Sequence, residues 1–365
     1  MKLTEDFAPV QEAERAAPDA NVGTVSQQGN DACTDAPCVI DARGLRKDFG
    51  THAVLTDLSL QVRAGEIFGL IGPSGSGKST TIHLLYGHLR PSGGTACVFG
   101  ERPVHFSART RARIGYMPQG FILYPDLTVK QNVDAAAGLY GLSEWHNRRS
   151  IRAVLELVEL WEARGKTVRS ISGGMQRRLA LAAALVHDPD LLFADEPTAN
   201  LDPILRMRLW KHFRGMSERG KTLLVTTQYI DEAEHCDRVG VMYGGALIAE
   251  GRPEELRHRA FGGDVVDITF ERPSESYLQV VSSVAGVREA QSPPDESLRL
   301  TVEDAERVIP GLLAQLSTSG AKVRSVAQYR PTFDEVFIRL IEQHSGSRPP
   351  AGGLTTSASA QEEAD

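Results

Sequence analysis

Residues 72–79 read G-P-S-G-S-G-K-S, the full G-x-x-x-x-G-K-[ST] spacing, with an apolar run before it and helical sequence after it. Glycines at Gly72, Gly75 and Gly77 let backbone N–H groups turn inward and approach phosphate oxygens closely, and the following helix points its positive end at the anion. Lys78 supplies a point charge for the outer phosphates, and the Ser79 hydroxyl can ligate Mg²⁺. A second group lies at residues 191–196, L-L-F-A-D-E, where an apolar run delivers two adjacent carboxylates. In a parallel sheet the carboxyl ends of the strands are where ligands bind. Asp195 can hold Mg²⁺ through water, and Glu196, one residue on, can orient or deprotonate an attacking water. A third group, I-S-G-G-M-Q at 171–176, opens a long helix with a Ser-Gly-Gly turn, which makes a second anion site by the same dipole argument. One nucleotide cannot use both anion sites if they lie far apart in one chain, but it can if two chains pair head to tail. No N-K-x-D is present to read a guanine base.

The elements that must hold these groups follow from the apolar pattern. VIDARGL (39–45), LSLQV (58–62), GEIFGLIG (65–72), RIGYMPQ (113–119), LLFADEP (191–197) and KTLLVTTQ (221–228) read as strands, and VGVMYGGALIAEG (239–251) as a strand pair turning at Gly244-Gly245. Continuous apolar strands separated by helices predict a parallel sheet covered on both faces. Residues 128–190 read as mostly helical, with Ile151, Val154, Leu155 and Val158 on one buried face, and a helix start is expected at DEAEHCD (231–237). After a break near Phe261-Gly262-Gly263, a smaller block predicts strands at 265–271, 297–302 and 322–329 and helices at 275–284, 303–316 and 332–343. Thr332 and Glu335 have capping-box spacing.

The chain has 365 residues with 40 Lys+Arg against 47 Asp+Glu, a net charge of −7. The first 38 residues carry −5 and the last 21 carry −2, so the body is neutral. A neutral body lacks the clustered positive charge that wrapping nucleic acid requires. No run of about 18 apolar residues is present to span a bilayer, and the N-terminal residues do not read as a signal peptide. The cysteines Cys33, Cys38, Cys97 and Cys236 have no metal-ligand spacing, which predicts a reduced chain.

The four linked motifs G-P-S-G-S-G-K-S, I-S-G-G-M-Q, L-L-F-A-D-E-P-T and N-L-D resemble, in this order, the nucleotide-binding subunit of an ABC transporter over about residues 39–256. Y-M-P-Q-G-F-x-L-Y-P-D-L-T (116–128), T-T-Q-Y-I-D-E-A-E (226–234) and P-T-F-D-E-V-F-I (331–338) resemble the branch that drives bacterial exporters of drugs, lipids or polysaccharides through a permease on a separate chain. The resemblance implies an α/β fold: a P-loop ATPase core with a mainly parallel sheet and an inserted helical subdomain at about 120–190, plus a small C-terminal α+β domain. The expected divisions are a disordered acidic tail at 1–38, the nucleotide-binding domain at 39–261, the accessory domain at 262–344 and a disordered tail at 345–365. Phe49 is expected to stack on adenine, and Gly72, Pro73, Ser74, Gly75, Ser76, Gly77, Lys78, Ser79 and Thr80 to cradle the phosphates of ATP. Ser79, Gln119 and Asp195 would handle Mg²⁺, with Gln119 also sensing the permease. Ser172, Gly173, Gly174, Met175 and Gln176 would contact the nucleotide held by a partner subunit, and Asp202 would cross the dimer seam. Glu196 keeps its catalytic role, joined by Gln228.

Three departures stand out. Ile171 replaces the usual Leu and Met175 the usual Gln. Gln228 occupies the position of a switch histidine, although this branch often carries Gln there. An amide can position a γ-phosphate but cannot titrate. Phe121, Ile122, Leu123, Tyr124 and Pro125, directly after Gln119, are expected either to line a groove for a permease helix or to fill the core of the helical subdomain. The implied protein is an ATPase subunit on the cytoplasmic face of the cell membrane, paired with a second ATP-binding subunit and an integral membrane permease, with no nucleic acid partner. Two rivals are a soluble relative acting on ribosomes or DNA, and a regulatory module that barely hydrolyses ATP.

Overall fold

The computed structural model describes residues 38–346 apart from 121, 122, 143, 273, 275 and 293–296. The tails expected at 1–38 and 345–365 lie almost wholly outside these residues, as do Phe121 and Ile122 of the expected groove. In chain order the elements are β1 (Cys38–Phe49), β2 (His52–Arg63), β3 (Ile67–Ile71), α1 (Lys78–Tyr86), β4 (Gly93–Val98), α2 (Ala108–Arg111), β5 (Ile114–Met117), α3 (Val129–Leu139), α4 (Glu144–Leu157), α5 (Gly173–Leu185), β6 (Leu191–Asp195), α6 (Pro203–Glu218), β7 (Thr222–Thr227), β8 (Arg238–Tyr243), β9 (Ala246–Gly251) and α7 (Pro253–Phe261). Then follow β10 (Asp264–Phe270), α8 (Ser276–Ser282), β11 (Val287–Gln291), β12 (Ser297–Val302), α9 (Ala305–Thr318), β13 (Val323–Tyr329) and α10 (Phe333–Ser345).

Three sheets organise the chain. The central one runs β5-β6-β7-β3-β8-β9, parallel except for β9, which pairs antiparallel with β8 through the turn at Gly244-Gly245. Strands β3, β6 and β7 are buried at every position, as apolar strands with helices on both faces must be. A separate antiparallel sheet, β2-β1-β4, sits beside it. Strand β4 was not anticipated, because G-G-T-A-C-V has neither a long apolar run nor clean alternation. Cys38 and Cys236 are free, and Cys33 lies outside the described residues.

The segment 128–190 is helical as read. Thr128 caps α3 in a reciprocal box with Gln131, and Ile151, Val154, Leu155 and Val158 are buried. The expected helix at DEAEHCD is a short 3-10 turn, Ile230–His235. The smaller block forms the antiparallel sheet β11-β12-β10-β13, with α9 supplying Val308, Leu312 and Leu316 to its core. The last helix does not join that core. Phe333, Val336, Phe337, Leu340 and Ile341 of α10 belong to the apolar cluster of the first block, each contributing about 1.5–3 kcal/mol on burial. Thr332 and Glu335 cap this helix reciprocally, as their spacing predicts.

Candidate functional site

Strand register brings the chemistry to one edge. Ile71 on β3 faces Thr227 on β7, and Thr226 faces Asp195 on β6. Gly72 therefore leaves β3 level with Gln228, and Glu196 leaves β6 one residue earlier, level with Thr227, so all three emerge at one edge. Strand β5 pairs with the far side of β6, Met117 against Ala194, so Gln119 follows at the same edge. Gln119 is exposed and Gln228 half-buried.

The loop between β3 and α1 has a fixed, tight shape. Gly77 has φ +102°, and a Cβ there would meet the Leu55 Cδ2 atom at 2.6 Å. A Cβ on Gly72 would lie 2.3 Å from the Met242 carbonyl oxygen. Ser74 and Gly75 are exposed at the mouth, Ser79 and Thr80 are half-buried, and Ser76 is buried with its hydroxyl unpartnered. The Lys78 ammonium donates to the carbonyls of Gly72 at 2.7 Å and Pro73 at 3.0 Å. Burial lowers its pKa, opposed by the nearby charges of Glu196 and Asp195. A buried cation ringed by inward-turned backbone fits an anion at this place.

The acid pair is wired to the loop. Ser79 donates to Asp195 Oδ1 at 3.1 Å, Thr226 donates to the same oxygen, and the buried Oδ2 has no partner. A hydroxyl and a bare carboxylate oxygen are the hard donors that Mg²⁺ prefers, so these residues fit the ion. Glu196 has φ +50°, an uncommon conformation for a non-glycine residue that clusters at functional sites. Its N–H donates to the carbonyl and hydroxyl of Thr226, at 3.0 and 3.1 Å. Its carbonyl accepts from the guanidinium of buried Arg177 on α5. Burial lowers the Arg177 pKa, with Glu196 and Asp195 acting against the fall.

The Ser-Gly-Gly turn is of a different kind. Ser172 caps α5, accepting from the Met175 N–H at 3.3 Å. Gln176 turns its amide back onto the carbonyls of Val168 and Ile171, and Met175 packs against the core. Ser172 and Gly173 are left exposed. Among the described residues no hydrogen bond or ion pair joins 172–176 to 72–80. Phe49 is 48 % exposed, its ring 5.0 Å from the Lys47 ammonium. Asp202 is exposed and caps α6 through Leu205. Leu123 packs on the core while Tyr124 is exposed. Sequence reasoning missed Arg177 and Thr226. Thr226 could have been found from its place beside Asp195 on the neighbouring strand, whereas Arg177 carries no local signal.

Comparison with known proteins agrees with this geometry. A family model described as ABC transporter matches residues 55–199, and one described as ATP-binding protein DrrA1-3-like, C-terminal domain, matches residues 251–341. The chain is 35 % identical over 303 residues to the Nod factor export ATP-binding protein I of Ralstonia nicotianae, covering 83 % of this chain and 93 % of that protein. It is 40 % identical over 248 residues to the "Probable multidrug ABC transporter ATP-binding protein YbhF" of Escherichia coli, over 68 % of this chain. It spans only 42 % of that relative's length. Among solved structures, a dimeric ATP-binding cassette in a post-hydrolysis state with ADP and Pi superposes with a TM-score of 0.55 at 27 % identity, over 58 % of this chain and 98 % of that one. The chain thus belongs to the ATP-binding subunits of ABC transporters, and its C-terminal domain is of the DrrA-like kind.

Proposed function

We propose that this chain hydrolyses ATP as one of two subunits closed around two Mg-ATP, and that closure and opening drive a separate membrane permease in export of a drug, lipid or polysaccharide. The observation that carries this reading is the shared edge of the sheet, where β3 gives way to the loop that leads into Lys78, β6 ends in Asp195 and Glu196, and β7 ends before Gln228. Lys78 and the backbone N–H groups of 74–80 bind the β- and γ-phosphates. Ser79 and Asp195, helped by Gln119, hold Mg²⁺, which when bound neutralises charge developing on the phosphate oxygens. Glu196, held by Thr226 and Arg177, accepts a proton from the attacking water. Gln228 donates to a γ-phosphate oxygen. Phe49 stacks on the adenine, and Ser172, Gly173, Gly174, Met175 and Gln176 complete the site of the partner, with Asp202 at the seam. Among the described residues no helix is long and apolar enough to cross a membrane, so the place we assign it, peripheral on the cytoplasmic face of the membrane, depends on the permease. The export direction follows the relative named for Nod factor export and the drug class the relative named as a multidrug transporter subunit, while lipid and polysaccharide rest on the sequence resemblance alone.

Glu196→Gln tests the engine. It should keep ATP binding and lower turnover by roughly 10²–10⁴, the usual worth of a positioned general base. Phosphate release within a few-fold of wild type would show that Glu196 has been given the wrong role.

A further inference from the structure

The 3-10 turn Ile230–His235 begins two residues after Gln228, and it carries a carboxylic acid that the hydrolysis scheme does not use. Glu232 is 1 % exposed, and neither of its side-chain oxygens makes a hydrogen bond of standard geometry. The hydroxyls of Thr227 and Thr198 and the indole of Trp210 face its carboxyl group. Arg206 Nε lies 3.8 Å from Oε1. The Thr198 hydroxyl, Trp210 Nε1 and Arg206 Nε are themselves buried without hydrogen-bond partners.

These neighbours come from the three segments that carry the chemistry. Thr198 lies two residues after Glu196, Thr227 immediately precedes Gln228, and Arg206 and Trp210 stand on α6, which begins after Asp202. Burial raises the Glu232 pKa, and the polar side chains and Arg206 only partly oppose it. A neutral carboxyl group both donates and accepts, so it can join two hydroxyls that a carboxylate could only accept from. As a packing element the residue is a poor choice, since an apolar side chain fills such a space without burying polar atoms. Buried polar groups that are nearly paired call for an explanation beyond stability.

We propose that Glu232 is a positioning residue for ATP hydrolysis, tying the loop after Glu196 to the strand end before Gln228 through Thr198 and Thr227. It touches neither nucleotide nor metal. It fixes the bearing of Glu196 and Gln228 on each other, and α6 couples that bearing to Asp202. This inference rests on the ATPase reading above.

The test uses the full chain with Mg-ATP, comparing wild type, Glu232→Gln and Glu232→Ala. Turnover and KM are measured together with Mg-ADP affinity by calorimetry and the melting temperature. Glu232→Ala should lower kcat by about 10- to 100-fold with KM and ADP affinity within about twofold, because misplacing a reacting group costs rate and not binding. Glu232→Gln, which keeps a donor and an acceptor without charge, should restore kcat to within about threefold of wild type. Wild-type kcat in Glu232→Ala would overturn the proposal. So would equal damage in both variants, or a loss of kcat that only tracks lost ADP binding and melting temperature. If Glu232→Ala does not fold, Thr198→Val decides: it should repeat the kcat loss at unchanged KM, and an unchanged kcat overturns the tie. A wild-type chain without turnover would instead contradict the ATPase reading itself.

Discussion

The phosphate loop and the Ser-Gly-Gly turn, both proposed above as anion sites, differ in how finished they are. In the phosphate loop Lys78 is buried and held by two carbonyls, and Ser79 is already engaged with Asp195. In the Ser-Gly-Gly turn the side chains of Met175 and Gln176 fold back into their own subdomain, leaving Ser172 and Gly173 exposed. The first turn has what it needs to hold a phosphate within one chain. The second leaves a helix N-terminus exposed, and among the described residues no hydrogen bond or ion pair joins it to the phosphate loop. On the function proposed above, the contrast means that binding belongs to one subunit and turnover to two. The Arg177 contact with the Glu196 backbone carbonyl links the two regions, since the helix that starts at the outward turn also holds the backbone of the proposed catalytic residue.

Beyond the loss expected for Glu196→Gln, the largest effect should come from the outward turn. Ser172→Arg should lower ATP turnover on the order of 10²-fold, comparable to removing a preorganised donor to a charged transition state. ADP affinity of the isolated chain should be unchanged in calorimetric titration. A parallel loss of ADP affinity would break the contrast, because it would place both turns on one nucleotide in one chain.

Gln228 sharpens the description of the finished side. Gln228→Ala should cost turnover about 10-fold, the worth of one hydrogen bond to a charged group. The wild-type pH–rate profile should show no inflection near the unperturbed histidine pKa of about 6.5, and Gln228→His should gain one. Superimposable profiles of wild type and Gln228→Ala across pH 5.5–9 would remove Gln228 from the reaction.

The smallest effect on rate should come from the junction with the accessory domain. Arg257 is buried, with its guanidinium pKa held down at about 10 mainly by desolvation. It pairs with Glu234 and Glu254 and donates to the Pro331 carbonyl. Arg257→Ala should lower stability by about 1–3 kcal/mol, because it leaves the buried Pro331 carbonyl without a donor. Turnover per folded molecule should stay within about twofold. A large fall in turnover at unchanged melting temperature would mean that the accessory domain acts on the site directly.

What was legible in the residues was whatever chemistry writes as a short run. The phosphate loop, the acid strand and the Ser-Gly-Gly helix start are local patterns with local physical reasons, and each lies on the element its flanking residues predict. The parallel sheet was legible because apolar strands such as L-L-F-A-D admit no exposed face. Strand β4 was not, since G-G-T-A-C-V is held by its pairing with β1 rather than by its own pattern. The support of the site was not legible either. Arg177 reaches Glu196 across 19 residues, and Thr226 reaches Asp195 across 31. Glu232 reads as one acid in D-E-A-E until the fold buries it. Nor does any run of residues announce that α10 returns to the first block, because its apolar face would suit either core.

The central claim is that the phosphate loop of one chain and the Ser-Gly-Gly turn of another act on one ATP. Lys78→Ala and Ser172→Arg should each abolish most turnover alone, by disabling opposite halves of every site. Mixed in equal amounts, they form pairs in which the intact Lys78 of one chain meets the intact Ser172 of the other. ATPase measured across the mixing series should therefore rise well above the sum of the separate variants, peaking at equal amounts. Activity that never exceeds that sum, with both proteins folded, would contradict the account.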